Sequence, residues 1–79
     1  MTGMSVLVVD DEPLARRRLT RLLARMDWID HIAEAGDVAQ ACERIDQHHP
    51  DILLLDIQMP GGTGFEVLEC LADAPLAVV

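Results

Sequence analysis

The chain contains two short, continuous apolar segments, and an aspartate follows each of them directly. Residues 6–9 (VLVV) precede the acidic pair Asp10-Asp11, and residues 52–55 (ILLL) precede Asp56. Short aliphatic runs of this kind are typical of strands that are covered on both faces of a parallel sheet. This feature restricts the fold most, because such strands need helices on both sides of the sheet.

A helical pattern follows the first of these strands. Pro13 fits the first turn of a helix, where its missing N–H is not needed, and we expect this helix to run to about Met26. Its apolar side is predicted to consist of Ala15, Leu19, Leu22, Leu23 and Met26. The spacing of these residues is that of an amphipathic helix.

The rest of the chain continues the alternation of strands and helices. Residues 31–35 form a more polar strand, which we expect at an edge of the sheet. A second helix follows Gly36-Asp37, a third follows Thr63, and each start carries a capping signature. Residues 76–79 complete the predicted order β-α-β-α-β-α-β, which indicates an α/β fold with a parallel sheet.

Size, charge and hydropathy exclude several classes of function. A chain of 79 residues with 51% apolar content forms one small domain or part of one. The net charge of −8, with 14 acidic residues, argues against direct nucleic-acid binding by this segment. The apolar runs are far shorter than the roughly 20 residues of a membrane span. No basic segment precedes a long apolar run, so we expect no signal peptide and a cytoplasmic location.

Asp10, Asp11 and Asp56 are predicted to meet at one edge of the sheet. The carboxyl ends of parallel strands share an edge, so these carboxylates converge if the first and third strands are neighbours. Like charges at that distance raise one another's pKa or require a cation, and Mg²⁺ suits a set of oxygen ligands. Taken singly, each aspartate could instead cap a helix or form a turn. The conjunction of all three favours the metal site.

Two sequence segments resemble the receiver domain of bacterial two-component response regulators. They read VLVVDDE over residues 6–12 and DILLLDIQMP over residues 51–60, and Gly64 follows four residues after the proline. The resemblance implies a flavodoxin-like (CheY-like) fold. It also implies phosphoryl transfer from a sensor histidine kinase, and therefore a role in signalling and transcription regulation.

The resemblance also implies a role for each residue of the acidic site. Asp56 corresponds to the phosphoacceptor of the family, and Asp10 and Asp11 correspond to the acidic pair that binds Mg²⁺ together with Asp56. Gln58 falls where the family supplies a backbone carbonyl as a metal ligand. A carboxylate nucleophile assisted by Mg²⁺ agrees with the chemistry of phosphoryl transfer.

A complete receiver has features that do not occur in residues 1–79. These are a fifth strand that ends in a lysine, a serine or threonine beyond the fourth strand, and the last helices; the chain has no lysine. We therefore expect the N-terminal two-thirds of a receiver, with weak Mg²⁺ binding and slow or absent phosphotransfer. The uncovered sheet edge predicts a homo-oligomer, formed at that edge or by swapped elements.

Five of the six arginines lie in the first helix, and three of them, Arg17, Arg21 and Arg25, repeat every four residues. This stripe is either a solvated helix face or a surface that docks the kinase. Residues 11–19 (DEPLARRRL) are also similar to receivers that carry LytTR-type DNA-binding output domains.

We predict that the cysteines form no disulfide and that the histidines bind no metal. Cys42 and Cys70 are expected to be reduced packing residues, because a pair of cysteines in a cytosolic chain is not a disulfide framework. His48-His49 is expected to be a solvated helix end, since adjacent helical residues do not face each other. His31 is expected to be exposed on its edge strand.

Two other classes of function compete with the receiver. A Mg²⁺-dependent phosphatase of the haloacid-dehalogenase kind also uses a strand-end aspartate, but it needs a second aspartate two residues later as general acid. Gln58 occupies that position, so we expect a chain that is not an enzyme. The alternative is a non-phosphorylatable binding or assembly module that keeps only the fold.

Overall fold

A computed structural model describes residues 3–56, 58–59, 62–70 and 77–78 of the chain. Its elements are β1 (Met4–Val9), α1 (Pro13–Leu23), β2 (Ile29–Ala35), α2 (Val38–His48), β3 (Ile52–Leu55), β4 (Gln58–Met59), β5 (Gly62–Thr63), α3 (Gly64–Leu68) and β6 (Ala77–Val78). The main sheet has the order β2-β1-β3-β6, and every pairing in it is parallel. The predicted α/β fold and the edge position of β2 are therefore confirmed.

The three main strands end level with one another. Val9 of β1 is paired with Ala35 of β2 on one side and with Leu55 of β3 on the other. At the opposite end of the sheet, the Asp51 carboxylate accepts from the Ser5 N–H at 2.9 Å, and the Asp51 N–H donates to the Ser5 carbonyl at 3.0 Å. This register brings the chain out of β1 and out of β3 at the same sheet edge.

The first helix is shorter than its apolar pattern predicts. It ends at Leu23. Beyond this point the backbone hydrogen bonds reach back three residues instead of four: the Arg25 N–H donates to the Leu22 carbonyl at 3.2 Å, and the Met26 N–H donates to the Leu23 carbonyl at 3.0 Å. Bonds that reach back only three residues tighten the last turn and end the α-helix. The prediction that the helix runs to Met26 was therefore wrong by about one turn.

Two other boundaries also differ from the predicted ones. β2 begins at Ile29 rather than at His31, because Met4 pairs with Ile29 and its N–H donates to the Trp28 carbonyl at 2.8 Å. The predicted loop after Asp56 contains the short antiparallel pair β4–β5. Such a two-residue pair has too little pattern to be detected in a sequence.

The caps of α2 agree with the sequence. The Asp37 carboxylate accepts from the Gln40 N–H at 2.7 Å, and the Gln40 side chain accepts from the Gly36 N–H at 2.8 Å. His49 adopts a left-handed conformation (φ 45°) before Pro50 and ends the helix. The predicted cap at Thr63 and the apolar residues after Cys70 lie outside the described side chains.

The main core lies between the sheet and the helices α2 and α3. It consists of Leu7, Val9, Ala35, Ala41, Ile45, Leu53 and Val67. Val6 and Val8 alternate with the first two of these along β1, and both are buried on the other side of the sheet. Both faces of β1 are therefore covered, as its apolar sequence predicts.

The helix α1 buries no side chain completely. It contacts β1 and β2. Leu22 is 53% exposed and Met26 is 39% exposed, although their spacing predicted an inward position. The physical reason is that α1 lies over only part of this sheet face, so the outer flank of its wide apolar stripe has no partner among the described residues.

Cys42 and Cys70 form a disulfide, which corrects the expectation of two reduced thiols. The bond joins α2 to the turn that follows α3. Val67 of α3 belongs to the same core cluster as Ala41 of α2, and this packing brings the two cysteine Cα atoms to 5.5 Å. That separation lies within the range of about 4.4–6.8 Å that a disulfide can span.

The histidines His31 and His48 are exposed, as predicted, and they also contact each other. Their ring centroids are 5.0 Å apart, with the ring planes inclined at 43°. The contact joins β2 to the last turn of α2. Among the described residues, no helix is long and apolar enough to cross a lipid bilayer.

We predict that truncation to alanine affects stability very differently at two leucines, although the sequence pattern predicts an inward position for both. Leu53→Ala is expected to lower the free energy of unfolding by about 2–5 kcal/mol, because Leu53 is completely buried between β1 and the helices. Leu22→Ala is the matched control and is expected to change it by less than about 0.5 kcal/mol. Urea unfolding followed by circular dichroism measures both. Equal losses for the two variants would contradict the exposed position of Leu22.

Candidate metal and phosphoacceptor site

Backbone hydrogen bonds at the ends of the strands fix two of the predicted site residues. The Asp10 N–H donates to the Ala35 carbonyl at 3.1 Å, and the Asp56 N–H donates to the Val9 carbonyl at 2.9 Å. Each aspartate is therefore the first residue after its strand and is still held by the neighbouring strand. Because β1 and β3 are adjacent, Asp10 and Asp56 emerge side by side.

The structure brings Asp10, Asp11 and Asp56 together at this edge. One carboxylate oxygen from each residue can be chosen so that all three lie within 4.8 Å of one another. Asp10 and Asp56 are half-buried, and Asp11 is exposed. Three carboxylates at this distance form a strongly negative site that remains open to water.

The turn after β1 uses its acids for structure as well. The Asp10 carboxylate accepts from the Glu12 N–H at 2.9 Å, and the Glu12 carboxylate accepts from the Leu14 N–H at 3.4 Å at the start of α1. The acidic residues of this turn can therefore cap the helix and also contribute to the carboxylate cluster. Glu12 caps the helix, and Asp10 both shapes the turn and contributes to the cluster.

The crowding of carboxylates changes the acidity of Asp11. Partial desolvation by its surroundings raises the pKa of Asp11 above the ordinary value of 3.8. A hydrogen bond with the Asp56 side chain and the negative charges of Asp56 and Asp10 also raise this pKa, while a backbone hydrogen bond opposes them. A group that holds its proton more tightly in the folded state is one whose ionised form is disfavoured there.

Arg16 is a residue of this site that the sequence interpretation did not single out. Its Nη1 donates to the Asp10 carbonyl at 2.6 Å, and its Nε lies 3.1 Å from the Glu34 carboxylate. It thus joins α1 to the acidic turn and to β2. Arg16 lies three residues before Leu19 and therefore on the inward side of α1, unlike the exposed Arg17. This spacing could have indicated from the sequence that Arg16 faces the sheet.

A cavity of about 370 Å³ lies beside the acidic cluster. It is lined by Val9, Asp10, Leu19, Leu54, Leu55 and Asp56. Most of these residues are aliphatic, and an apolar wall strengthens the interaction of a charged ligand with the two aspartates. The volume is sufficient for a hydrated ion together with a phosphoryl group.

The cluster fits a hard divalent cation. Its donors are all carboxylate oxygens, which Mg²⁺ prefers. Desolvation is the main cause of the raised pKa of Asp11, and the repulsion by Asp56 and Asp10 that adds to it is one that a cation relieves. Gln58 lies two residues beyond Asp56 in β4, where it is paired with Thr63. Ligation by the Gln58 carbonyl stays a prediction.

The three arginines of the stripe are exposed, but only Arg17 and Arg21 lie on α1, because the helix ends at Leu23, before Arg25. Arg17, Arg18 and Arg21 line a shallow depression of about 170 Å³ together with Leu14, which is 67% exposed. Both interpretations of the stripe, a solvated face and a docking surface, are compatible with this exposure.

Comparison with known proteins identifies the class that this fold and site define. The family model of the response regulator receiver domain matches residues 6–79. The chain therefore belongs to the receiver domains of two-component response regulators.

Two curated relatives are similar over most of this chain. The positive alginate biosynthesis regulatory protein of Pseudomonas aeruginosa is 47% identical over an alignment that covers 96% of this chain and 32% of the relative. The sensory transduction protein LytT of Enterococcus faecalis is 44% identical, with 86% and 28% covered. The chain thus spans about a third of the length of these relatives.

Solved receiver structures have the same fold. The response regulator domain of Thermotoga maritima CheB superposes with a TM-score of 0.80 at 31% identity, covering 86% of this chain and 51% of that one. The signal receiver domain of the putative response regulator NarL from Mycobacterium tuberculosis gives 0.78 at 40% identity, with 85% and 54% covered. The CheY-like fold expected from the motifs is confirmed.

The electrostatics of the cluster predict opposite effects of Asp11→Asn on stability and on metal affinity. The raised pKa means that the Asp11 contribution to stability is greatest at low pH and is lost as the pH rises through the raised value. At neutral pH without metal, Asp11→Asn should therefore raise the melting temperature slightly. The same variant should weaken Mg²⁺ binding by at least about tenfold.

Calorimetry and a Mg²⁺ titration followed by amide chemical shifts measure these two effects. Asp27→Asn is the matched control, because it removes the same charge from the exposed turn after α1. The control should change neither quantity. A lower melting temperature for Asp11→Asn in the absence of metal would contradict the repulsion.

Proposed function

We propose that this chain is a phosphoacceptor module in which Asp56 receives a phosphoryl group from a sensor histidine kinase. The observation that carries the proposal is the convergence of Asp10, Asp11 and Asp56 at the end of β1 and β3. Membership in the receiver family supports it. In this role the chain accepts a group and passes on a signal, and it is not an enzyme that turns over.

The proposed step assigns the nucleophile to a carboxylate oxygen of Asp56. This oxygen attacks the phosphorus of a phosphohistidine, the P–O bond forms as the P–N bond breaks, and the electron pair stays on the imidazole nitrogen. The product is an acyl phosphate on Asp56. Asp56 is half-buried and lines the cavity beside the cluster, where the phosphoryl donor can approach it.

The proposed metal ligands are Asp10, Asp11 and Asp56, together with the backbone carbonyl of Gln58. A Mg²⁺ held by them would neutralise the charge that develops on the phosphoryl oxygens. Arg16 holds the Asp10 carbonyl at 2.6 Å and so positions the acidic turn.

The chain has no lysine, since all six basic residues are arginines. We therefore expect no lysine ammonium within residues 1–79 to pair with the phosphoryl oxygens, and we expect this segment to accept a phosphoryl group slowly and to bind Mg²⁺ weakly. We also propose that residues 1–79 are the N-terminal two-thirds of a receiver domain. The aligned segments cover 51% and 54% of two solved receiver chains, so the chain matches part of a receiver in each case.

The partners follow from the same proposal. The exposed arginines of α1 are proposed to dock the histidine kinase, in the cytoplasm where such signalling takes place. Similarity to LytT supports a relationship with receivers that carry a LytTR-type output domain. With a net charge of −8, this segment is not proposed to contact nucleic acid itself.

Acetyl phosphate or carbamoyl phosphate with Mg²⁺ tests the proposal directly. We expect intact mass spectrometry to show slow uptake of one phosphoryl group, which is lost without Mg²⁺ and in Asp56→Asn. Asp51→Asn is the matched control at the other end of β3, and it should retain uptake because Asp51 lies far from the cluster. No uptake by the unmodified chain at saturating Mg²⁺ would favour the alternative, a binding or assembly module that keeps only the fold.

A homo-oligomer is the second part of the proposal. Among the described strands, β6 lies at an edge of the sheet, and three apolar side chains are exposed: Leu14 and Leu22 on α1, and Trp28 directly before β2. A sheet edge together with exposed apolar surface favours pairing with a second copy, either edge to edge or by exchange of elements. Sedimentation velocity at tens of micromolar should show a dimer or a larger species. A folded species that remains monomeric would refute this part and leave the phosphoacceptor role intact.

A further inference from the structure

We propose that Cys42 and Cys70 form a reversible redox site that exchanges with low-molecular-weight thiols and disulfides of the glutathione class. In the structure their sulfurs are bonded, and the bond connects α2 with the turn after α3. Neither residue belongs to the acidic cluster, so this site is independent of the proposed phosphoacceptor function.

The two cysteine residues differ in their exposure. Cys70 is exposed, while Cys42 is half-buried in α2. Thiol–disulfide exchange depends on access to the sulfur that is attacked, and exposed disulfides are more easily exchanged than buried ones. We therefore assign Cys70 as the sulfur that reacts first with a small molecule and Cys42 as the resolving thiol.

The disulfide attaches the turn after α3 to α2. The helix α3 has only five residues, which is too short to be stable without tertiary contacts. Among its described side chains Val67 is completely buried and Leu68 is half-buried, while Glu66 is exposed. Among the described side chains of α3, Val67 and Leu68 still pack against the core when the bond is lost, so we expect the redox state to change how firmly α3 is docked.

The exchange is balanced in two steps. The Cys70 thiolate attacks one sulfur of glutathione disulfide, which forms a mixed disulfide and releases one glutathione thiolate. The Cys42 thiolate then attacks the Cys70 sulfur and releases the second. Two protein thiols are oxidised, one glutathione disulfide is reduced to two glutathiones, and the two thiol protons pass to the released thiolates. Excess glutathione reverses both steps.

The experiment equilibrates the unmodified chain at a series of glutathione to glutathione disulfide ratios. Free thiols are then trapped with N-ethylmaleimide, and intact masses are measured. We expect one reversible transition between a form with two labels and a form with none. Because the bond closes a loop between residues 28 apart, the oxidised form should melt on the order of 10 °C higher than the reduced one.

Cys42→Ser and Cys70→Ser are matched controls that each leave one thiol. Both should form only a mixed disulfide with glutathione, without the increase in melting temperature, and the thiol of Cys70 should react faster than that of Cys42. The proposal is overturned if the unmodified chain retains two glutathiones, forms bonds between chains, keeps both thiols free, or resists reduction. The titration of the unmodified chain decides these outcomes even if a variant does not fold.

Discussion

The parallel pairing of β1 with β3 is the interaction on which the site depends. The pairing of Val9 with Leu55 makes the two strands end together, and the bond from the Asp56 N–H to the Val9 carbonyl continues the ladder by one residue. A shift of one residue would move the side chains of β3 to the opposite face of the sheet. The core and the acidic cluster therefore impose the same register.

The acidic cluster itself works against folding. Three carboxylates share one edge of the sheet, and the pKa of Asp11 is raised because its charge is disfavoured there. The surrounding structure compensates with the hydrogen bond from the Glu12 N–H to Asp10 and with the guanidinium of Arg16 on the Asp10 carbonyl. A chain selected for stability alone would not place like charges at this point, and the three carboxylates offer a set of oxygen ligands that fits a hard divalent cation.

The sequence predicts the strands of the sheet better than it predicts the surroundings of the helices. The runs at residues 6–9 and 52–55 predict the parallel sheet, since strands that are buried on both faces are typically apolar throughout and rich in aliphatic residues. The convergence of the aspartates follows from strand order, which the family resemblance supplies. Helix α1 is less predictable than the strands. Its apolar stripe indicates which residues can be buried, but it does not indicate whether a surface is available to cover them. Leu22 is exposed for this reason. The Cys42–Cys70 bond forms because the fold brings α2 close to the turn after α3. The sequence around either cysteine does not determine this approach.

Arg16 makes the helix α1 and the acidic turn a single mechanical unit. The guanidinium reaches the Asp10 carbonyl and the Glu34 carboxylate together, so the helix cannot slide along its axis without losing both contacts. Arginine does not lose its charge in the accessible pH range, so its guanidinium stays a charged donor to the Asp10 carbonyl where a histidine would not. A displacement of α1 along its axis would therefore pull on the backbone immediately before Asp11.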